Sequence, residues 1–423
     1  MKKRYLFISL SISMVATLIL SSISLASNPS SSVTIMEAER AALNHIELVG
    51  QQMDGWSTAM LSAPVTYYTP DGTKSAYEYT VLNSGKEVGY IFMSARNDWM
   101  PVLEYGGGKA PSNYLPVAHE IAEKKGYAVK GSKSRLLYWG GLTYSVQYEG
   151  NMKDNNIAVH LPTGVIRNVP EEKLKLKMDE GKAREIWAEI LGQDTSSTFG
   201  RIMKSLFGAR SARAAVEIPI SSRFSDVKFA SVEIDGVTPF YQDNYSGGHG
   251  DEGNDNQASW PSCNGTANDP WDHWDGCACV AGAMVLGYWE GNGYSSLPSN
   301  DDTLVDYCHH YMGTTDSGTT TTSNVDDGID DILAIWDYDD DFDVSNDTFV
   351  SWNDIKNQVD NDFPSLLHIW GGTSDFDHHS VTVVGYYESF ENFIWLYNGW
   401  ELPMDYIVYN NWDDATLTKV EED

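Results

Sequence analysis

The sequence predicts an α+β chain: two folded regions joined by an exposed linker. Three observations point there. Up to about residue 191, short alternating strand-type runs are interspersed with a few helix-period runs. The texture then loosens over Gln193–Pro219, where Ser, Thr, Gly, Lys204, Arg210 and Arg213 follow no strong pattern. Beyond that the chain is rich in Trp, Tyr, Asp and Gly, with ten of its 14 Trp after residue 219.

Composition narrows the class. The 423 residues carry 60 Asp plus Glu against 28 Lys plus Arg, a formal charge of −32. Residues 1–215 hold 24 basic and 20 acidic side chains, whereas 216–423 hold 4 and 40. Such acidity argues against nucleic acid and against an anionic membrane surface as partners, because like charges repel. It favours solubility. A 42 % hydrophobic content is enough to bury a core, which argues against a disordered or collagen-like chain.

The elements follow in order. Met1-Lys2-Lys3-Arg4, an apolar run to Leu20 and Ser24-Leu25-Ala26 read as a signal peptide over residues 1–26. No later stretch is apolar for long enough to span a bilayer, so a secreted or periplasmic protein without stable membrane insertion is expected. Thr34-x-x-Glu37 is a capping box, followed by Ile35, Ala38, Ala42, Ile46 and Val49 at helical spacing and a stop at Gly50. Tyr77–Leu82, Val88–Met93, Leu136–Tyr148 and Ile157–Val169 read as strands. Pro116–Lys125 reads as a short helix closed by Gly126, and Lys173–Leu191 as an amphipathic helix. Residues 34–191 thus form an α+β region, with room for two subdomains. It shows no nucleophile, metal cluster or phosphate loop; Gly106-Gly107-Gly108 lacks the Lys-Ser/Thr that a phosphate loop needs. Residues 192–219 form the linker, a place for cleavage, and 220–423 the second region.

Chemistry concentrates in that second region. Asp275-Gly276-Cys277-Ala278-Cys279-Val280-Ala281 is a turn entering a helix of small and apolar residues. A Cys in the first turn meets unpaired N–H groups and the positive end of the helix dipole, which lower a thiol pKa. Cys277 and Cys279 are equally readable as small core residues or, with Cys263 and Cys308, as disulfide partners. His378-His379-Ser380-Val381-Thr382-Val383-Val384-Gly385-Tyr386 places His379 at the entrance of a strand. Phe393–Trp400 is an aromatic strand ending in Asn398-Gly399-Trp400. An Asn carbonyl oxygen there accepts an imidazole N–H, and the Trp shields the bond from water. Asn410, before Asn411 and Trp412, repeats the pattern.

A Cys at a helix start, His-x-Val-x-x-Val-Gly-Tyr on a strand and Asn-x-Trp on a later strand resemble the papain-like cysteine peptidases. The bacterial branch related to double-glycine (bacteriocin-leader) peptidases is the nearer likeness, and streptopain-type secreted peptidases the looser one. Trp352–Val359 and Pro364–Ile369 resemble that family's helix and strand before its His, and the likeness covers about residues 237–415. It implies a helical layer on an antiparallel sheet, with Cys277 as nucleophile, His379 as general base and acid, and Asn398, in preference to Asn410, as orienter. It further implies a protein or peptide substrate and no cofactor. The family's oxyanion Gln has no counterpart in the usual place, where Trp271 and Asp272 stand; Gln257 and Asn264 lie further upstream. Residues 34–191 resemble the propeptides of secreted relatives, which makes this region the expected intramolecular inhibitor of a zymogen. An inactive peptide-binding module and a thiol acyltransferase or peptidoglycan amidase are the alternatives. No metal is expected: Asp337, Asp339, Asp341 and Asp343 read as a solvated acidic loop with Phe342 where a calcium loop needs Gly. His309-His310 lacks zinc-site spacing.

Overall fold

The computed structural model describes residues 32–127, 133–149, 157–169, 174–191, 230–240, 275–315, 318–371, 378–388, 391–401 and 403–423. The expected signal peptide, the linker, Cys263, Gln257, Asn264, Trp271 and Asp272 lie outside them.

Helix α1 (Ile35–Val49) opens with the capping box that the sequence predicts. The Thr34 hydroxyl accepts the Glu37 N–H, and the Glu37 carboxylate accepts the Thr34 N–H at 2.8 Å. Ala38, Ala41, Ala42, Ile46 and Val49 bury one face of it. There follow strands β1 (Met60–Leu61), β2 (Val65–Tyr68), β3 (Lys74–Asn83), β4 (Lys86–Ser94) and β5 (Val102–Gly106). Next come helix α2 (Leu115–Lys124), strands β6 (Lys133–Gly140), β7 (Thr143–Glu149), β8 (Ile157–His160) and β9 (Ile166–Asn168), and helix α3 (Glu180–Ile190).

Two predicted strands are in fact hairpins. The run 136–148 folds back between β6 and β7, where Gly140 has φ 107° and Leu142 φ 61°. The run 157–169 folds back between β8 and β9 near Gly164 at φ 69°. Gly140-Gly141 and Pro162-Thr163-Gly164 mark the two turns, and a reading on the flanking strand-type residues alone passes over them. The predicted helix 173–191 is shorter at its start. Asp179 caps α3 by accepting the Lys182 N–H at 3.0 Å. The residues before it form no helix, and the Lys177 N–H bonds the Trp412 carbonyl at 2.7 Å.

After strand β10 (Ala230–Glu233), helices α4 (Cys277–Gly291), α5 (Asp301–Tyr311) and α6 (Val325–Ile335) precede strand β11 (Phe342–Asp347). Helix α7 (Trp352–Asp360) and strands β12 (Ser365–Trp370), β13 (His378–Glu388), β14 (Asn392–Tyr397), β15 (Asp405–Val408) and β16 (Asp414–Glu422) complete the chain. Every residue from Ala278 to Leu286 is buried, so α4 is enclosed all round. It packs on β13 and β12 among Leu367, Ile369, Val381, Val383 and Leu417.

One sheet runs in the order β11-β16-β12-β13-β14-β15-β5-β4-β3-β2-β6-β7-β8-β9, with β1 added on β3 and β10 on β13. Among the described residues only the β2–β6 pair is parallel. The pairing of β15 with β5 joins the two regions edge to edge, Tyr406 opposite Tyr105. The rings of that pair stack at 4.5 Å. Val33–Asp423 accordingly form one unit. No helix among the described residues is long and apolar enough to cross a membrane.

Candidate active site

Cys277 is the first residue of α4. Gly276 before it has φ 101°, and a Cβ there would lie 2.8 Å from the Gly318 carbonyl oxygen. Only glycine turns the chain into the helix at this point. Two contacts fix how α4 sits on the sheet. The Thr382 hydroxyl donates to the Ala281 carbonyl at 3.2 Å, and Val280 lies against Gly399. Helix packing therefore brings the first turn of α4 to the start of β13 and the end of β14.

The sulfur of Cys277 has four polar neighbours: its own N–H, the Ala278 N–H, and the N–H and hydroxyl of Ser380. The N–H groups are the orphan donors of a helix start and of a strand entrance, and all of them favour an anion. Enclosure opposes them and prevails, pushing the thiol up from its ordinary value. The thiol of half-buried Cys277 is therefore raised, where the helix position alone suggests a lowered one.

His379 is paired across the sheet with Ile369 and is 3 % exposed. Its ring lies on the Trp400 indole at 3.8 Å between centroids and 13° between planes. Nε2 is 2.8 Å from the Asn398 main-chain carbonyl. A carbonyl only accepts, so Nε2 carries the proton and Nδ1 carries the lone pair. That tautomer is the one a general base needs if Nδ1 is to receive the thiol proton. Burial holds the imidazole well below its ordinary pKa, which favours its neutral form.

The acceptor on Asn398 is thus its main chain, where the sequence reading put its side-chain amide. The side chain instead fixes the loop. Oδ1 accepts the N–H groups of Trp400 at 2.6 Å and Glu401 at 3.0 Å, and Nδ2 donates to the Asp405 carboxyl. Asp405 also accepts the Tyr90 hydroxyl of β4 at 3.0 Å. Asn410 is elsewhere, in the turn after β15 with φ 68°. Asp405 escaped the sequence reading because nothing in the local pattern marks it; its role comes from the β14–β15 turn. Ser380 was in the motif but read only as a strand residue.

The first region reaches the same place. The His160 ring of β8 lies 5.3 Å from the Trp400 ring, and Glu401 accepts the Lys109 N–H at 2.8 Å and the Tyr114 hydroxyl. Leu142, Pro162, Trp400 and Asn398 line a small common cavity. Cys279, two residues on, is fully buried, with its sulfur 3.0 Å from the Thr314 hydroxyl and its thiol pushed up to about 12 by burial. Such a thiol is no nucleophile near neutral pH.

Residues 254–400 match the Peptidase_C39 like family, 147 of the 423 residues. The matched segment runs through α4, β13 and β14 and ends at Trp400. No curated protein matches the chain. The family match supports a cysteine-type peptidase, a hydrolase of protein or peptide substrates, on a papain-like fold.

Proposed function

We propose that this chain is an exported cysteine peptidase working through Cys277, His379 and Asn398, made as a zymogen. The observation that carries the reading is the meeting of α4 and β13. A thiol at a helix start touches the residue next to a histidine whose tautomer, stacking and Nε2 bond suit a general base.

The steps follow from these positions. Nδ1 of His379 takes the thiol proton as the sulfur attacks the substrate carbonyl carbon. The carbonyl electrons move onto oxygen, beside the Cys277 N–H at the helix start. One such donor contributes about 3 kcal/mol of transition-state stabilisation. His379 then protonates the departing amine, leaving a thioester. Water attacks the thioester as His379 takes its proton, and the thiol and imidazole are restored. Asn398 holds the imidazole through its carbonyl, and Trp400 keeps water off that bond.

The first region acts as the intramolecular cover, with His160, Pro162 and Leu142 lying beside Trp400 and Asn398. Cleavage in 192–219 is the activating event, and the N-terminal 1–26 segment directs export. Cys277→Ala abolishes both peptide hydrolysis and alkylation at that position, while Cys279→Ala retains turnover. Hydrolysis surviving in Cys277→Ala overturns the assignment. Following the purified full chain by mass tests the zymogen: activity should appear only after the linker is cut.

A further inference from the structure

The loop that carries Trp400 is gripped by a segment of the first region that takes no part in the reaction steps. Residues 106–114 run from the end of β5 to the start of α2. In this segment the N–H groups of Lys109, Ala110 and Ser112 each meet a carboxylate, and Pro111 between them has no N–H to place. The Ala110 N–H donates to Glu87 of β4 at 2.7 Å, and the Asn113 amide donates to the same carboxylate at 2.9 and 3.0 Å. The Ser112 N–H donates to Glu78 of β3 at 2.9 Å, and the Ser112 hydroxyl donates to it as well. Both of these acids belong to the first region, so the segment takes its shape there. The third carboxylate comes from the second region: Glu401 accepts the Lys109 N–H at 2.8 Å and the Tyr114 hydroxyl.

The run Gly106-Gly107-Gly108, which is no phosphate loop, has its use at this contact. A Cβ on Gly106 would run into the Asp405 carboxyl, and one on Gly108 into the Glu401 carboxylate. One on Gly107 would press on Pro403 at 3.4 Å. Glu401 in turn is the neighbour of Trp400. Asn398 Oδ1 accepts the N–H groups of both, at 2.6 and 3.0 Å, which ties Trp400 and Glu401 into one short turn with Gly399 at φ 71°. The Asn398 amide anchors the inner end of that turn and the Glu401 carboxylate its outer end. The Trp400 indole stands between the two anchors and lies on His379 at 3.8 Å.

We propose that Glu401 is a positioning residue through which the first region completes the site: held by Lys109 and Tyr114, it fixes the turn that lays the Trp400 indole on His379. The first region then has two separate parts with two effects. The β8–β9 turn, with His160 and Pro162, lies beside Trp400 as a cover, whereas the segment before α2 holds the turn in its working shape. This inference deepens the peptidase reading, and it rests on that reading for what the imidazole does.

The test uses the full chain cut in its linker. One reading is steady-state hydrolysis; the other is diethyl pyrocarbonate modification of His379, followed by peptide mass, which needs no hydrolysis. Glu401→Ala should lower kcat about tenfold with KM little changed, the pattern of a misplaced base. It should also speed the modification of His379, because the indole no longer stays over the ring. Gly108→Ala pushes the carboxylate aside and Tyr114→Phe removes one donor, so both should move the two readings the same way by less. Glu401→Gln keeps an acceptor for the Lys109 N–H and should recover part of the loss. Glu401→Ala combined with Trp400→Ala should lose no more kcat than Trp400→Ala alone, since both act through the indole. Lys177→Met breaks the 2.6 Å ion pair to Asp414, which joins the same two regions elsewhere, and should leave both readings at the wild-type level. An unchanged kcat or an unchanged modification rate in Glu401→Ala overturns the proposal, as do additive losses in the double variant or an equal effect of Lys177→Met. Should Glu401→Ala fail to fold, Tyr114→Phe and Gly108→Ala decide. A wild-type chain that hydrolyses nothing, while Glu401→Ala still speeds His379 modification, would sink the peptidase reading and leave the positioning role standing.

Discussion

The Trp400 indole covers the His379 imidazole at van der Waals distance. That stack does two things: it fixes the plane of His379, and it dries the bond from Nε2 to the Asn398 carbonyl. A hydrogen bond kept from water is stronger, and a misplaced base loses proton-transfer efficiency. Trp400→Ala should therefore lower kcat roughly tenfold with little change in KM, the signature of lost orientation and not of lost substrate binding. A steady-state comparison with the cleaved wild-type protein checks it, and an unchanged kcat would show that the stack is dispensable. Asp405 works one step further out. Its carboxyl, held well above its ordinary pKa by burial, receives the Asn398 amide and the Tyr90 hydroxyl. Tyr90 belongs to the first region, so part of the rigidity of the Asn398 loop comes from a strand that the sequence assigns to another domain.

At the scale of elements, helix α4 has no side-chain cap and depends on Gly276 for its entry. Gly276→Ala must place a Cβ against the Gly318 carbonyl at a φ of 101°. The strain of a non-glycine residue there is about 1–3 kcal/mol, and a thermal melt should show a lower Tm together with slower alkylation of Cys277. An unaltered melt would mean the loop at Gly318 gives way freely. The elements that were legible in advance are those whose signal is local. The α1 capping box, the Cys277 helix start and the His379 strand each announce themselves within a few residues. The β6–β7 and β8–β9 hairpins were passed over although Gly140-Gly141 and Pro162-Thr163-Gly164 mark their turns, because the strand-type residues on either side read as one run. The row in which Ser380, His368, Thr418 and Asn346 bond in turn was not legible, because its members lie on four strands far apart in sequence. His368 alone left a trace, as a polar residue amid Leu366, Leu367 and Ile369, but only pairing says what it faces. The same holds for Asn398: its residue type was readable, while the use of its main chain depended on the turn it occupies.

For the whole molecule, the decisive feature is the edge where β5 meets β15. The sequence reads the two regions as separable, yet this seam is a row of buried acids and their donors. Beside the seam, within the first region, Glu104 of β5 accepts the Leu142 N–H at 3.0 Å, the Tyr138 hydroxyl at 3.0 Å and the Tyr144 hydroxyl, and burial lifts it to about 7. Glu391, in the β13–β14 turn, accepts the Val102 N–H at 3.4 Å and is lifted to about 8. The Asn411 amide bonds the Leu103 carbonyl at 3.1 Å, and the Gly141 N–H bonds the Asn411 carbonyl at 2.6 Å. An acid whose pKa is raised on folding binds its proton more tightly in the folded state. Its contribution is fully retained below its ordinary value, near 4.5, and is lost progressively as pH rises through about 7 for Glu104 and about 8 for Glu391. The seam should therefore be tightest in acid and loosen toward neutral and alkaline pH. After a cut within 192–219, the two pieces should co-elute as one particle near pH 5, because backbone pairing and the buried acids still join them. They should separate more readily at pH 8. Glu391→Gln, which keeps the shape but cannot ionise, should reduce that pH dependence, because Glu391 bonds across the seam. Size-exclusion chromatography of the cleaved chain across this range measures it directly. Dissociation at pH 5 would mean that covalent continuity, and not the seam, holds the first region in place, and an equally tight complex at both values would mean that the buried acids do not set the strength of the seam.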